Sequence, residues 1–398
     1  MTFFVDMRQE PMKIIPSAFL KGSLLTLLYI FLFILYQGNI SGQELAITLP
    51  FVALVYFFIF NLGNPDVQAY IEEKGLLAQQ KSLIFPTLLW FLMVTYVSVH
   101  AENPFEGSGS LLPFLFIFPV LYYQSNPRTE VGRIDYILLL ISVLPLTLVK
   151  FHGDTTLPIK GNGFGSMYKI SWVLLMAYAY GSIRKIKDIG FYPVFKLSFL
   201  GIALISWASF LGFVCVIAWS LGFVNPHPFE EVIQDGFAKS VLEIMRIWIG
   251  TALFEELFFR GLMQNMLAQQ INKSGAWKTY WTYGIAIMLI LSTLAGYALA
   301  IEYIWFPILI TMGLFIPAYF LEQKQWQAVG AYTALAIISM AFGLAHYHKG
   351  SILFVGLAAV AGWAYGYTYL KTKNVFYAAL VHSLVNFSEF LFQLKDIK

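Results

Sequence analysis

The run from Ile247 to Leu267, IWIGTALFEELFFRGLMQNML, decides the fold: it is apolar enough to sit in lipid, yet it holds Glu255, Glu256 and Arg260 within six positions. A charge at the centre of a bilayer costs about 2.5–3.5 kcal/mol, so three of them must recover that cost through pairing or through use. One reading is an ion pair that pins two helices. The other is an active site inside the membrane.

The rest of the chain has the composition of a membrane protein. Its 398 residues are 59% hydrophobic and 18% aromatic, only 12% are charged, and the mean hydropathy is +0.69. Soluble domains carry roughly twice that charged fraction. A net charge of +3 over this length forms no basic face for nucleic acid, so none is expected as a partner, whereas the lipid bilayer is. The single cysteine, Cys215, excludes an internal disulfide and a Cys-based zinc cluster. The N-terminus has acids and prolines before its first apolar run and no small-residue cleavage site after it, so that run is expected to stay as an anchor.

Apolar runs near the roughly 20 residues needed to cross a bilayer recur along the chain, at about 22–36, 47–62, 82–99, 111–123, 136–149, 168–180, 197–223, 241–267, 282–300, 304–320, 328–345, 351–370 and 376–392. The expected fold is therefore an all-α polytopic transmembrane bundle of about thirteen helices, within a range of roughly 11 to 14. With the N-terminus cytoplasmic, inside loops collect about sixteen Lys and Arg and outside segments about six, the asymmetry expected of a correctly counted set of spans. The glycine-rich stretches 107–110 and 161–166 follow no strand and open no soluble helix, so they read as flexible connections. Residues 225–245, which mix acids and apolar groups, read as a solvated turn leading into the helix of Glu255.

Three clusters place polar groups four apart inside apolar helices, and thus on one face. Glu256 and Arg260 stand i and i+4 in the favourable order for an ion pair, while Glu255 projects about 100° away and is left without a fixed counter-charge. Phe342 and His346 share a face in SMAFGLAHYHKG, and His382 and Asn386 share one in ALVHSLVNF. Amide hydrolysis needs water, a general base and donors for a developing oxyanion. Glu255 with His346 suits the first two, and His382 with Asn386 suits the third. His346, His382 and Glu255 are also a His2Glu set of the kind that holds one divalent metal, zinc, with a position open for water, although no HExxH is present.

The ordered trio FEELFFR, FGLAH and HSLVN resembles the CAAX-protease and bacteriocin-processing (CPBP, or ABI) family, which includes the Rce1-type CAAX prenyl endopeptidases and the bacterial lysostaphin-resistance-A-like proteins. The resemblance implies a membrane peptidase in which Glu255 and His346 handle water and His382 and Asn386 support the oxyanion. Glu256 and Arg260 complete the first motif, and Phe342 is assigned to substrate. Glutamate and metal mechanisms are both implied for such a family. The partner is a protein or peptide substrate in the membrane; prenylated termini belong to the eukaryotic relatives. For a bacterial member the expected location is the inner membrane.

The resemblance covers roughly Val241 to the C-terminus, within a transmembrane domain read over 224–398, and it departs from the family in an additional apolar hairpin near 282–320. Residues 1–223 carry none of the motifs and read as a transmembrane helical extension. Two rival functions use the same residues. A proton-coupled secondary transporter would relay protons through Glu255, His346 and His382, and a catalytically silent scaffold would use them as hydrogen-bonding glue. On these spans His346 lies near a helix end and Glu255 mid-helix, so tilt or stagger is required for them to meet.

Overall fold

The computed structural model describes residues 17–36, 41–100, 116–126, 130–148, 167–220, 222, 224–226, 237–325, 329–388 and 392–394. The glycine-rich stretches 107–110 and 161–166 lie outside them, as do residues 227–236 of the turn expected over 225–245; the described remainder of that segment is not a turn, Asn225 and Pro226 lying in a short strand and residues 237–245 in the helix that leads to Glu255.

Fourteen helices occur among the described residues. The first six are α1 (Ser17–Tyr36), α2 (Gly42–Asn61), α3 (Pro65–Glu73), α4 (Ile84–His100), α5 (Phe118–Ser125) and α6 (Arg133–Leu148). Next, α7 runs over Met167–Met176 and widens into π turns over Ala177–Ile183, and α8 covers Leu197–Ala218. The long α9 (237–274) alternates α and π turns; α10 (Trp277–Leu299), α11 (Trp305–Gln323), α12 (Ala331–Ala345), α13 (Ile352–Thr372) and α14 (Val375–Phe387) complete the bundle. The all-α reading thus stands, with thirteen helices falling on the thirteen apolar runs.

One helix is unexpected, and several helix ends are shifted from their expected positions. The short α3 escapes a hydropathy scan because it is polar; Asn64 caps it, accepting from Asp66 N at 3.0 Å, and Pro65 opens it. The run expected as one helix over 197–223 ends at Ala218, and the last helix stops at Phe387 rather than 392. Beyond those ends, Val224–Pro226 and Phe392–Leu394 form a two-stranded antiparallel pair, Val224 opposite Leu394. Among the described residues, six helices are by themselves long and apolar enough to cross a membrane: α1, α2, α8, α10, the run 301–323 containing α11, and α13. The remaining helices are shorter or broken by π turns.

Burial identifies the centre of the bundle. In α13 78% of the apolar window is inside the protein, against 17% for α8, so α13 is the inner helix and α8 presents most of its surface outward. Exposed residues such as Leu20, Ile205, Ile290 and Phe320 make up outward-facing apolar surface, where lipid replaces water as the solvent. Packed against α13 are α8, α11, α12 and α14, while the hairpin of α10 and α11 lies on α12. Although α8 precedes residue 224, it packs on the helices that follow.

Carboxylate capping fixes the start of α12. Glu322, 1% exposed at the end of α11, accepts from Thr333 N at 2.8 Å, from the Thr333 hydroxyl at 3.1 Å and from Gly330 N at 2.5 Å. Gly330 turns the chain there with φ of 96°, and a Cβ on it would stand 2.4 Å from Ile271. The helix that ends at Phe342 and His346 is thereby anchored at its other end.

Candidate active site

Glu255 and Glu256 occupy a four-residue α segment, Leu253–Glu256, between two wide stretches of α9, Trp248–Ala252 and Leu257–Gln264. Such π turns locally rotate the side chains that follow them and are frequent at functional sites. Glu256 and Arg260 still meet: Arg260 Nε lies 3.1 Å from Glu256 Oε2, both side chains being fully buried. Neither atom makes a geometrically aligned hydrogen bond in that contact, so the attraction is Coulombic rather than directional.

Arg260 is stabilised by more than its carboxylate. Its Nη2 donates to the Gly362 carbonyl at 2.9 Å, and its guanidinium sits 4.5 Å from the ring centre of Phe342 and 5.3 Å from that of Tyr365. One turn further on, Gln264 Nε2 donates to Gly366 O at 3.1 Å. Two side chains four apart on α9 thus stitch to two carbonyls four apart on α13. Both carbonyls belong to glycines, which let the helices approach: a Cβ on Gly366 would lie 2.6 Å from Gln264 Oε1, and one on Gly362 would lie 3.2 Å from Arg260 Nη2.

The second oxygen of Glu256 reaches α14, where His382 Nδ1 lies 2.8 Å from Glu256 Oε1. A carboxylate can only accept, so Nδ1 carries the proton and Nε2 is the nitrogen left to act. That Nε2 is 4.0 Å from Glu255 Oε2, an oxygen with no hydrogen-bond partner in the protein. Tyr365 stacks on the His382 ring at 4.5 Å with an interplanar angle of 8°, and Phe342 meets its edge at 5.7 Å. His346 follows the same plan: its Nδ1 lies 2.8 Å from the Phe342 carbonyl and therefore donates, leaving Nε2. Phe342 lies 4.7 Å from the His346 ring and is itself 2% exposed.

These groups surround one cavity of about 440 Å³, lined by Glu255, Phe342, His346, His382 and Asn386, by Tyr365 and Thr251, and by Phe210, Leu211 and Val214 from α8. The stagger that the spans demanded is supplied by helix ends: α12 stops at Ala345, so His346 lies in a 3₁₀ turn against the mouth of the cavity. Every sequence-derived site residue lines this cavity except Glu256 and Arg260, which lie behind it. Reading the sequence missed Tyr365, Gln264 and the paired glycines. The pattern GWAYG at 362–366, two glycines four apart in an apolar helix, was the available signal.

As metal donors the two Nε2 atoms and Glu255 have the right chemistry, and histidines tethered through Nδ1 are usual around metals. Among the described residues, however, no three His, Cys, Asp or Glu stand close enough to hold an ion. The arrangement does not fit a bound metal, and no step below passes through one.

The fold is that of an integral membrane protein, with a cavity in its helical bundle lined by charged and polar side chains. Residues 237–331 and 315–388 match the family model for type II CAAX prenyl endopeptidase Rce1-like proteins, so over this part, less than half of its length, the chain is similar to that family. The matched stretches contain all three motifs. No curated protein and no solved structure matches the chain.

Proposed function

We propose that the chain is an intramembrane endopeptidase that hydrolyses a peptide bond of a membrane-associated protein or peptide, with water activated by Glu255. The observation that carries this reading is the gap of 4.0 Å between Glu255 Oε2 and His382 Nε2 beside a cavity of about 440 Å³. One water molecule spans such a gap with a hydrogen bond to each side. Glu255 takes a proton from that water, and the resulting hydroxide attacks the scissile carbonyl carbon. His346 Nε2, turned to the cavity by the Nδ1 contact to Phe342, orients the same water.

The oxyanion accepts hydrogen bonds from the Asn386 amide and from His382 Nε2–H. For both ring nitrogens to donate, His382 enters the reaction already protonated and keeps both protons throughout, with Glu256 Oε1 2.8 Å from its Nδ1. The carboxyl of Glu255 then returns its proton to the leaving amine, and the C–N bond breaks. Glu256 and Arg260 position His382 from behind the cavity and Tyr365 does so from its wall, whereas Phe342 both separates the two imidazoles and walls the cavity on the substrate side.

The test is cleavage of candidate membrane peptides by purified protein and by Glu255→Gln, with and without a chelator. Turnover lost only in the variant is expected. Equal turnover by both proteins sinks the role of Glu255; activity that chelator removes and zinc restores replaces the glutamate mechanism by a metal one.

A further inference from the structure

A second cavity, of about 480 Å³, lies where three membrane-spanning helices end. Gly63 and Pro65 line it just beyond α2, Lys196 and Phe199 line it at the start of α8, and Thr372 and Lys373 line it at the end of α13. Ends of independent spans that meet at one place mark the level of the bilayer surface. The cavity contains none of the groups of the peptidase site.

Its charge is lopsided. Lys185, Lys187, Lys196 and Lys373 line it against Glu72 and Asp188. Lys185 is paired with Glu72, and Asp188 acts on Lys373. No carboxylate pairs with Lys187 or Lys196 among the described residues, and both are exposed. Gln68 and Ser182, 3.5 Å apart, add neutral donors on the wall.

The cavity is also held in an unusual backbone. Lys185, Asp188 and Lys373, with φ of 55°, 60° and 50°, are the non-glycine residues of positive φ among the described residues, and all three line it. Left-handed backbone at residues with a side chain is unfavourable and persists where surrounding contacts impose it, commonly at binding sites. Here the contacts are explicit. The 187 carbonyl accepts from Asn265 at 2.7 Å and Gln269 at 3.0 Å, the Gly190 carbonyl from Val375 N at 3.0 Å, and the Tyr192 carbonyl from Asn374 at 2.8 Å. The loop over residues 184–196 is thereby fixed to α9 and α14, so the lysines are gathered before any ligand arrives.

Beside the cavity, Phe195 and Leu197 are 81% and 75% exposed, large apolar side chains at the level where α8 begins its span. We propose that this cavity binds a phosphate-bearing anion at the bilayer surface, the lysines gripping the phosphate while Phe195 and Leu197 rest among acyl chains. The same phosphate chemistry is offered by the headgroup of an anionic phospholipid and by a soluble phosphate ester.

The experiment uses the full chain in detergent and measures saturable binding and the shift in melting temperature. Its probes are a short-chain phosphatidylglycerol, the phosphatidylcholine of the same chains, and glycerol 3-phosphate. Phosphatidylglycerol is expected to bind better than phosphatidylcholine. Lys187→Gln/Lys196→Gln/Lys373→Gln is expected to weaken it on the order of a hundredfold, from roughly fivefold per lysine. Binding of glycerol 3-phosphate as tight as that of phosphatidylglycerol assigns the site to a soluble ester, and much weaker binding assigns it to lipid. The double variant Lys74→Gln/Lys81→Gln, which removes two exposed lysines outside the cavity, should bind as wild type does. Equal binding of the two lipids, or equal losses in the triple and the control variants, overturns the proposal.

Discussion

Exchanging the two adjacent glutamates one at a time separates chemistry from architecture. Glu256→Gln keeps shape but leaves Arg260, fully buried, without the carboxylate that stood 3.1 Å away. Breaking a buried pair on one side costs about 3–5 kcal/mol. The Gly362 carbonyl and the rings of Phe342 and Tyr365 still surround the guanidinium, and a glutamine oxygen still accepts from His382, so the lower end, about 3 kcal/mol, is expected. Glu255 is different: its Oε2 has no hydrogen-bond partner in the protein, its nearest cationic group is His382 Nε2 at 4.0 Å, and its side chain is 24% exposed, so Glu255→Gln should change stability by no more than about 0.5 kcal/mol. Turnover should instead fall by roughly 10²–10⁴, the usual contribution of a general base. Scanning fluorimetry of detergent-solubilised protein gives the first quantity and single-turnover peptide cleavage the second. The double variant Glu256→Gln/Arg260→Met removes both charges and should regain most of the lost stability. Glu255→Gln melting as low as Glu256→Gln, or a double variant no more stable than Glu256→Gln, would refute the division of roles.

Three further outcomes follow from the same geometry. Asn386→Ala should lower kcat by roughly 10²–10³ with little change in KM, because an oxyanion donor acts mainly in the transition state; the check is steady-state cleavage kinetics. Gly366→Ala would set a methyl 2.4 Å from Leu335 and 2.6 Å from Gln264, and overpacking of that kind costs about 1–3 kcal/mol, read as a lower melting temperature. In Glu322→Gln the cap of α12 weakens by about 1 kcal/mol, and because His346 sits at the far end of that helix, amide hydrogen exchange should rise first around Gly330 to Thr333.

What could be read without coordinates was whatever repeats locally. Hydropathy placed thirteen helices because each carries its own apolar run, and helical spacing divided Glu256 and Arg260 from Glu255 because i and i+4 are fixed by one helix. Long-range polar partners were not legible. Asp135, which accepts from Tyr123 at 2.8 Å and pairs with Arg184 at 3.0 Å, forms a second buried charge cluster between α5, α6 and α7. In sequence Asp135 begins a helix and Arg184 sits in a loop, where charges are ordinarily solvated. The same limit applied to Glu256, whose pairing with Arg260 was visible, whereas its contact with His382, 126 positions away, was not. That contact changes the meaning of the buried pair. An ion pair retained only to pin helices could be replaced by apolar side chains at no cost. Glu256 holds Arg260 with one oxygen and the Nδ1 of His382 with the other, so replacing the pair by apolar groups would restore stability while freeing the imidazole that faces Glu255. The pair is therefore expected to be dispensable for folding and indispensable for turnover when both members become apolar, as in Glu256→Leu/Arg260→Met, which is why stability and cleavage must be measured on the same preparations.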